Sequence, residues 1–222
     1  MIISDNTIDD VWRWAIFECV RNGRDYEIKH GSYIGQKRRQ FPYVVLEVNT
    51  PWKRPLAVQM PEGSGLPAPT SEEAIHEYFL TSIINDDKGC FDYTYGQYIY
   101  PQLERVIEII NSSDGYTNQA CITIGDKDSI YLDDPPCLRS ITFKRVGEQL
   151  NLAVYFRSWD LFAGLPENLG GLQLLKEYIL TYLTFPIKDG SIIAFSDGLH
   201  LYEMYFPIVN ILSAIKIQER RG

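Results

Sequence analysis

From Pro166 onward the chain places Leu169, Leu172, Leu175, Ile179, Leu180, Tyr182 and Leu183 at helical spacing, with proline at the first helical position, where an N–H would be free anyway. A stripe this broad reads as the central buried helix of the fold. Gly164, Gly170 and Gly171 lie along it, but no Gly-Lys-Ser or Gly-Lys-Thr follows. They are read as permitting close helix packing, not as a phosphate loop.

A chain of 222 residues, 45% of them hydrophobic, can bury one substantial core, so residues 1–222 are expected to form a single domain. The formal charge of −8 argues against a general nucleic-acid binder, although a local basic cluster can still hold a small phosphate. Cys19, Cys90, Cys121 and Cys137 show no CxxC spacing and no signal peptide precedes them, which points to a reduced, cytoplasmic setting with three of the four as core thiols. No apolar run reaches the roughly 18 residues of a membrane span.

Thr7 is placed to cap a helix running to Gly23, with Asp9 and Asp10 in its first turn. The segment 24–39 reads as a basic, glycine-punctuated loop, in which Lys37, Arg38 and Arg39 are either a solvated charge run or an anion holder. A buried strand over 41–48 follows. Residues 51–69, rich in proline, read as a stiff extended excursion suited to a lid or a subunit contact. Thr70 and Glu73 form a capping-box pattern for a helix carrying Ile75, Tyr78 and Phe79, and a further helix is expected to start near Pro101. His76-Glu77 opens a zinc-protease motif that no second histidine completes, and the acidic loop 126–134 lacks the glycine and closing glutamate of an EF-hand, so no metal site is expected.

Residues 141–146 and 150–157 are expected to pair as a hairpin around Gly147, with Leu150, Leu152, Val154 and Phe156 on one face. Cys137 stands just before it, behind two prolines, and Arg157, Ser158, Asp160 and Asn168 cluster where the returning strand meets the buried helix. An arginine there must pair, with Asp160 as the ordinary partner, or meet an anionic ligand. A last strand over 192–196 leads to His200, Tyr202 and a final helix.

PPC at 135–137, RSWD at 157–160, GLPEN at 164–168 and SDGLHLY at 196–202 occur in one order. In that combination the chain resembles the thymidylate synthase family, including its pyrimidine hydroxymethylase branches, and its short length looks like the archaeal and viral members. The resemblance implies an α/β (α+β) three-layer fold with a mixed central sheet around the buried helix, and a homodimer packed sheet against sheet. It also implies roles. Cys137 would add as thiolate to C6 of a pyrimidine nucleotide, most naturally dUMP, so that C5 accepts one carbon from 5,10-methylenetetrahydrofolate or a related reduced pterin. Arg157 and Ser158 would hold the phosphate, Asn168 would read the base, His200 and Tyr202 would bind the sugar hydroxyl, and Asp160 would lie near pyrimidine and pterin.

The resemblance further implies a Tyr95-Gly96 loop beside the nucleophile and a glutamate for proton transfer, which is Glu77 or, alternatively, Glu73. Where most members carry two arginines reaching the partner subunit's phosphate, this chain has Asn118 and Gln119, with Arg38 or Arg39 as candidate replacements. It ends at Gln218–Gly222 without the apolar tail that closes over the folate in bacterial members. Methylation of dUMP is the first reading, hydroxymethylation of dUMP, dCMP or CMP the second, and an inactive nucleotide binder the third.

Overall fold

Alternating β-branched residues build the larger of two sheets. The computed structural model describes residues 1–89 and 93–219, with side chains through Ile215. Cys90, the start of the aromatic loop at Phe91 and Asp92, and the side chains of the closing tail therefore lie outside the described residues. Strands β1 (Ile2–Asp5), β4 (Val44–Val48), β9 (Lys188–Ser196), β7 (Gln149–Phe156), β6 (Leu138–Val146) and β5 (Cys121–Thr123) form a six-stranded sheet in that spatial order. It is mixed: β1 runs parallel to β4 and β7 to β9, and the other pairs are antiparallel. The expected hairpin is β6 and β7, longer than its apolar alternation alone suggests, with Leu150, Leu152, Val154 and Phe156 buried on one face.

The second sheet corrects the reading of 24–39 as a loop. Strands β2 (Arg24–Glu27) and β3 (Lys37–Gln40) pair antiparallel, and β3 continues onto β10 (Leu199–Tyr202) and β8 (Trp159–Asp160). Every residue of β2 is exposed, so no alternation marks it. Backbone pairing to a neighbour distant in sequence makes it a strand.

Helix α1 (Ile8–Asn22) begins as expected. The Thr7 hydroxyl accepts from the Asp10 N–H at 3.1 Å and the Asp10 carboxylate accepts from the Thr7 N–H at 3.1 Å. Its buried face carries Val11, Trp12, Ala15, Ile16 and Cys19, and the Trp12 indole donates to the carbonyls of Leu161 and Phe162, each at 3.1 Å. That bond fixes the helix to the corner where the site forms.

Helix α2 (Glu72–Tyr78) is capped by Ser71, whose hydroxyl accepts from the Ala74 N–H at 3.2 Å, and not by Thr70. A π-helical turn, Phe79–Ile83, continues it. Helix α3 (Gly96–Ser112) starts before the expected Pro101, which sits inside it. Gly96 is the reason, since a Cβ there would lie 2.0 Å from the Asn85 carbonyl oxygen; backbone meets backbone and fixes the start. The segment 51–69 is anchored in its first half: Leu56 and Val58 are buried, and the Gln59 N–H donates to the Asp9 carboxylate at 2.8 Å.

Helix α4 (Gly164–Leu180) is the buried helix, starting two residues before Pro166. Gly170 and Gly171 act as expected, because a Cβ would lie 2.8 Å from Ile75 Cγ2 and 2.6 Å from Tyr78 Cδ1. Burial reaches even Gln173 and Lys176, which are 0% exposed. Lys176 pairs with Asp189 at 2.8 Å and Gln173 donates to the same carboxylate at 2.6 Å, which offsets the desolvation of both. Helix α5 (Phe206–Glu219) packs against α1. Among the described residues no helix is long and apolar enough to cross a membrane.

Candidate active site

The hairpin sets the first part of the site. Leu138 of β6 pairs with Phe156 of β7, and the Arg157 N–H donates to the Cys137 carbonyl at 2.9 Å, so the cysteine and the arginine stand side by side at the open end. The guanidinium then closes over the proline turn. Its Nε donates to the Pro136 carbonyl at 3.1 Å, its Nη2 donates to the Pro135 carbonyl, and Nη2 also meets Asp134 at 3.4 Å. Arg157 does not pair with Asp160, the ordinary partner considered from sequence. Asp160 instead accepts from the Phe162 N–H at 3.0 Å and from the N–H groups of Ala163 and Gly164, capping α4, and burial pushes its carboxyl up.

Two tyrosines hold the nucleophile from behind. The Leu138 N–H donates to the Tyr95 hydroxyl at 3.3 Å and the Cys137 backbone bonds to Tyr93. Burial raises the Cys137 thiol above its ordinary value, Arg157 and Arg38 draw it down, and Asp134 adds to the rise. The thiol is therefore protonated in the free protein at neutral pH.

A cavity of about 290 Å³ opens on this corner, lined by His30, Arg38, Asp134, Cys137, Arg157, Ser158 and Tyr202 among others. Strand β3 decides between the two arginines. Arg38 and Arg39 are neighbours on a strand and point to opposite faces. Arg39 makes two bonds to Asp25, at 2.6 and 2.9 Å, and lies 4.8 Å from the Phe206 ring. Arg38 faces the cavity, donating to the hydroxyls of Tyr26 and Tyr202 at 3.3 Å each. It forms no ion pair among the described residues, and its Nε is buried without a partner.

His200, opposite Gln40 on β10, is 1% exposed. Its Nδ1 lies 2.7 Å from the Gly198 carbonyl, which can only accept, so Nδ1 carries the proton. Nε2 is left as a buried acceptor with no partner. Burial, aided by the Arg38 charge, lowers the imidazole from 6.5 to about 3. Between these values the unfolded chain binds a proton that the folded one does not, so stability is full above pH 6.5 and falls as pH falls toward 3. The loss is about 2 kcal/mol between pH 6.5 and 5. Urea midpoints at pH 7 and 5 should show this slope in the wild-type chain and a shallower one in His200→Gln.

Asn168 lies on the first turns of α4. Its Oδ1 accepts from the Trp159 indole N–H at 2.9 Å, and its Nδ2 donates to the Tyr78 hydroxyl at 2.8 Å. Glu167, beside it, is half-buried with no hydrogen bond or ion pair among the described residues, and burial raises its carboxyl.

A half-buried cysteine and two cationic side chains thus share one corner of the fold. The family model for thymidylate synthase covers residues 85–218. The chain belongs to the thymidylate synthase family. A Methanosarcina mazei protein named "Putative thymidylate synthase" is 27% identical over 223 residues, covering 96% of this chain and 95% of that one. The thymidylate synthase of varicella-zoster virus is 30% identical over 121 residues, 54% of this chain and 38% of the viral protein. The fold is that of thermostable thymidylate synthase A from Bacillus subtilis, with a TM-score of 0.67, 15% identity, and coverage of 94% of this chain and 84% of that one.

Within this thymidylate synthase fold, Cys137, Arg157, Ser158, Tyr202 and Arg38 share one cavity, with Tyr95 behind it. Glu77 and Glu73 do not join them: both are exposed on α2, and the Glu73 side chain bonds to Ser71 at the helix start. Their helix instead turns Tyr78 inward. Asn118 and Gln119 are exposed before β5, and Arg39 is held by Asp25. The sequence marks Tyr78 only as a packing residue and does not single out Tyr93 or Trp159. The last stands inside the RSWD block and Tyr93 two residues before Tyr95, so position along the chain was the available signal.

Proposed function

We propose that this protein methylates C5 of dUMP through a covalent adduct of Cys137 at C6. The observation that carries this reading is a cavity lined together by a half-buried thiol and two guanidinium groups, one of them without a carboxylate partner among the described residues. A nucleoside monophosphate supplies the anion that Arg38 lacks and a further partner for Arg157. Arg38 and the Nη1 of Arg157, which has no bond among the described residues, take its phosphate, with Ser158, in charge-assisted bonds that a single cation could not duplicate. Arg157 and Arg38 draw the thiol toward deprotonation, its proton passing to solvent, and the sulfur adds to C6 as electron density moves to C5. The C5 proton leaves once C5 has gained its new carbon, and the thiolate departs when C5=C6 reforms. The neutral His200 Nε2 accepts from the sugar hydroxyl alongside Tyr202, and Asn168 meets the base edge.

The corner fits a reduced pterin, because Glu167 is a half-buried acceptor without a partner among the described residues and a pterin edge is rich in N–H donors. Methylenetetrahydrofolate, when bound, supplies the one-carbon unit and the hydride that makes it a methyl group. Asp160, held by three backbone N–H groups, borders the same corner.

A homodimer suits the sheet. The face turned away from α4 carries Val45, Phe195, Tyr155, Ile193 and Ala153 in adjoining register positions, and Phe195 is 40% exposed. An apolar sheet centre of this kind needs a cover.

Incubating the protein with methylenetetrahydrofolate and dUMP, dCMP or CMP tests the reading. Thymidylate with dihydrofolate is the expected outcome. A hydroxymethyl nucleotide with tetrahydrofolate would put water in the place of hydride, and no product from any pair would overturn the enzymatic reading. In calorimetric titration with dUMP, Arg38→Ala should weaken binding by roughly 10- to 100-fold, the scale of a lost charge-assisted bond. Arg39→Ala should leave affinity unchanged.

A further inference from the structure

The bonds around Asn168 are not symmetric. An amide can face either way, and the two faces read opposite bases. Uracil offers an N3–H donor and an O4 acceptor, whereas cytosine offers an N3 acceptor and an N4 amino donor. An asparagine that places its oxygen toward N3–H and its N–H toward O4 must turn over to serve cytosine. Whether it can turn depends on its other two bonds.

Trp159 and Tyr78 make those bonds, and they differ in kind. A phenol hydroxyl can donate or accept, so Tyr78 would satisfy either face of the amide. An indole N–H can only donate, so Trp159 is satisfied only when Asn168 Oδ1 faces it, as at 2.9 Å here. Trp159 has no freedom to move aside. It is 2% exposed, its ring lies flat on Phe156 at 3.9 Å and 3°, and its β8 backbone is paired to Leu199 of β10. Turning the amide would set its N–H groups against the indole N–H and leave that buried donor unpaired. Tyr78 is equally fixed, pressed onto α4 where Gly171 lacks a side chain.

We propose that the indole N–H of Trp159 locks the orientation of the Asn168 amide and so sets the preference for uracil over cytosine nucleotides. Trp159 is a positioning residue; it acts through Asn168. The inference rests on the assignment of Asn168 as the base reader in the proposed function.

Equilibrium binding of dUMP and dCMP to the full chain tests it, because affinity does not require turnover. Trp159→Phe keeps an aromatic ring to lie on Phe156 and removes the donor together with the rest of the indole bicycle. It should raise the dCMP affinity relative to dUMP at least about tenfold, while Tyr78→Phe leaves that ratio within about threefold of wild type. Asn168→Asp is the control for the base-reading assignment, and the local network tolerates it, since a carboxylate accepts from both Trp159 and Tyr78. A ratio moved by Asn168→Asp but not by Trp159→Phe would overturn the lock and leave the base reader standing. A ratio moved by neither would overturn both. Should Trp159→Phe not fold, hydrogen exchange of the indole N–H in the wild-type chain decides the matter. Protection that persists with saturating dUMP and falls with saturating dCMP supports the lock, and equal protection with both overturns it.

Discussion

Cys137→Ala is expected to abolish C5 chemistry, lowering turnover by about 10⁴-fold or more, while dUMP still binds with affinity near that of the wild-type chain. The separation follows from the geometry. The phosphate-facing donors belong to Arg38, Arg157 and Ser158, which the loss of one sulfur leaves in place, and the proline turn is held by bonds from Arg157 to the carbonyls of Pro135 and Pro136. Single-turnover kinetics and calorimetry on the same preparation check both halves. The thiol also predicts a pH dependence. Its proton is held by burial and drawn off by Arg157 and Arg38, so kcat/KM should rise with pH as the thiolate forms. Arg38→Ala removes one of the two positive charges and should move that limb to higher pH.

Asn168→Asp should reverse the base preference. The side chain keeps its place because both neighbours can donate to a carboxylate, but the Nδ2–H that meets the uracil O4 is replaced by an acceptor. Two acceptors facing each other in a half-buried site disfavour dUMP, whereas the cytosine amino group gains a partner and cytosine N3 gains one from the carboxyl protonated on the oxygen that faces it. A shift of roughly 10²-fold or more in the dCMP-to-dUMP ratio of kcat/KM is expected, on the scale set by a polar group left unpaired in a buried site. Competition between the two nucleotides measures it directly, and an unchanged ratio would remove Asn168 from the base edge.

Much of this architecture is legible in the sequence because burial leaves a periodic trace. The α4 stripe, the helix cap at Thr7 and the alternation of β7 all survive into the structure, since each is set by residues close together in the chain. The glycine pair at 170 and 171 is legible too, as α2 has to touch α4 somewhere. What escapes is held by partners far along the chain. Strand β2 has no apolar face, so only its pairing with β3 reveals it. Arg38 and Arg39 look alike until a strand sends one toward Tyr202 and the other toward Asp25. The start of α2 is a case of local signals in conflict: Thr70 and Ser71 can each cap it, and the hydroxyl that accepts from the Ala74 N–H belongs to Ser71. Trp159 was visible as part of a motif, yet its donor acquires meaning only beside the Asn168 carbonyl.

Addition of the Cys137 sulfur to C6 is tested most directly by following hydrogen at C5. Adding a nucleophile at C6 makes C5 nucleophilic, and each carbon gained there expels the original hydrogen as a proton, whether the product is methyl or hydroxymethyl. With dUMP tritiated at C5 and methylenetetrahydrofolate present, the wild-type chain should release tritium to water in step with product, and Cys137→Ala should release none above background. Undiminished release from Cys137→Ala, or none from the wild-type chain, would contradict covalent catalysis by Cys137.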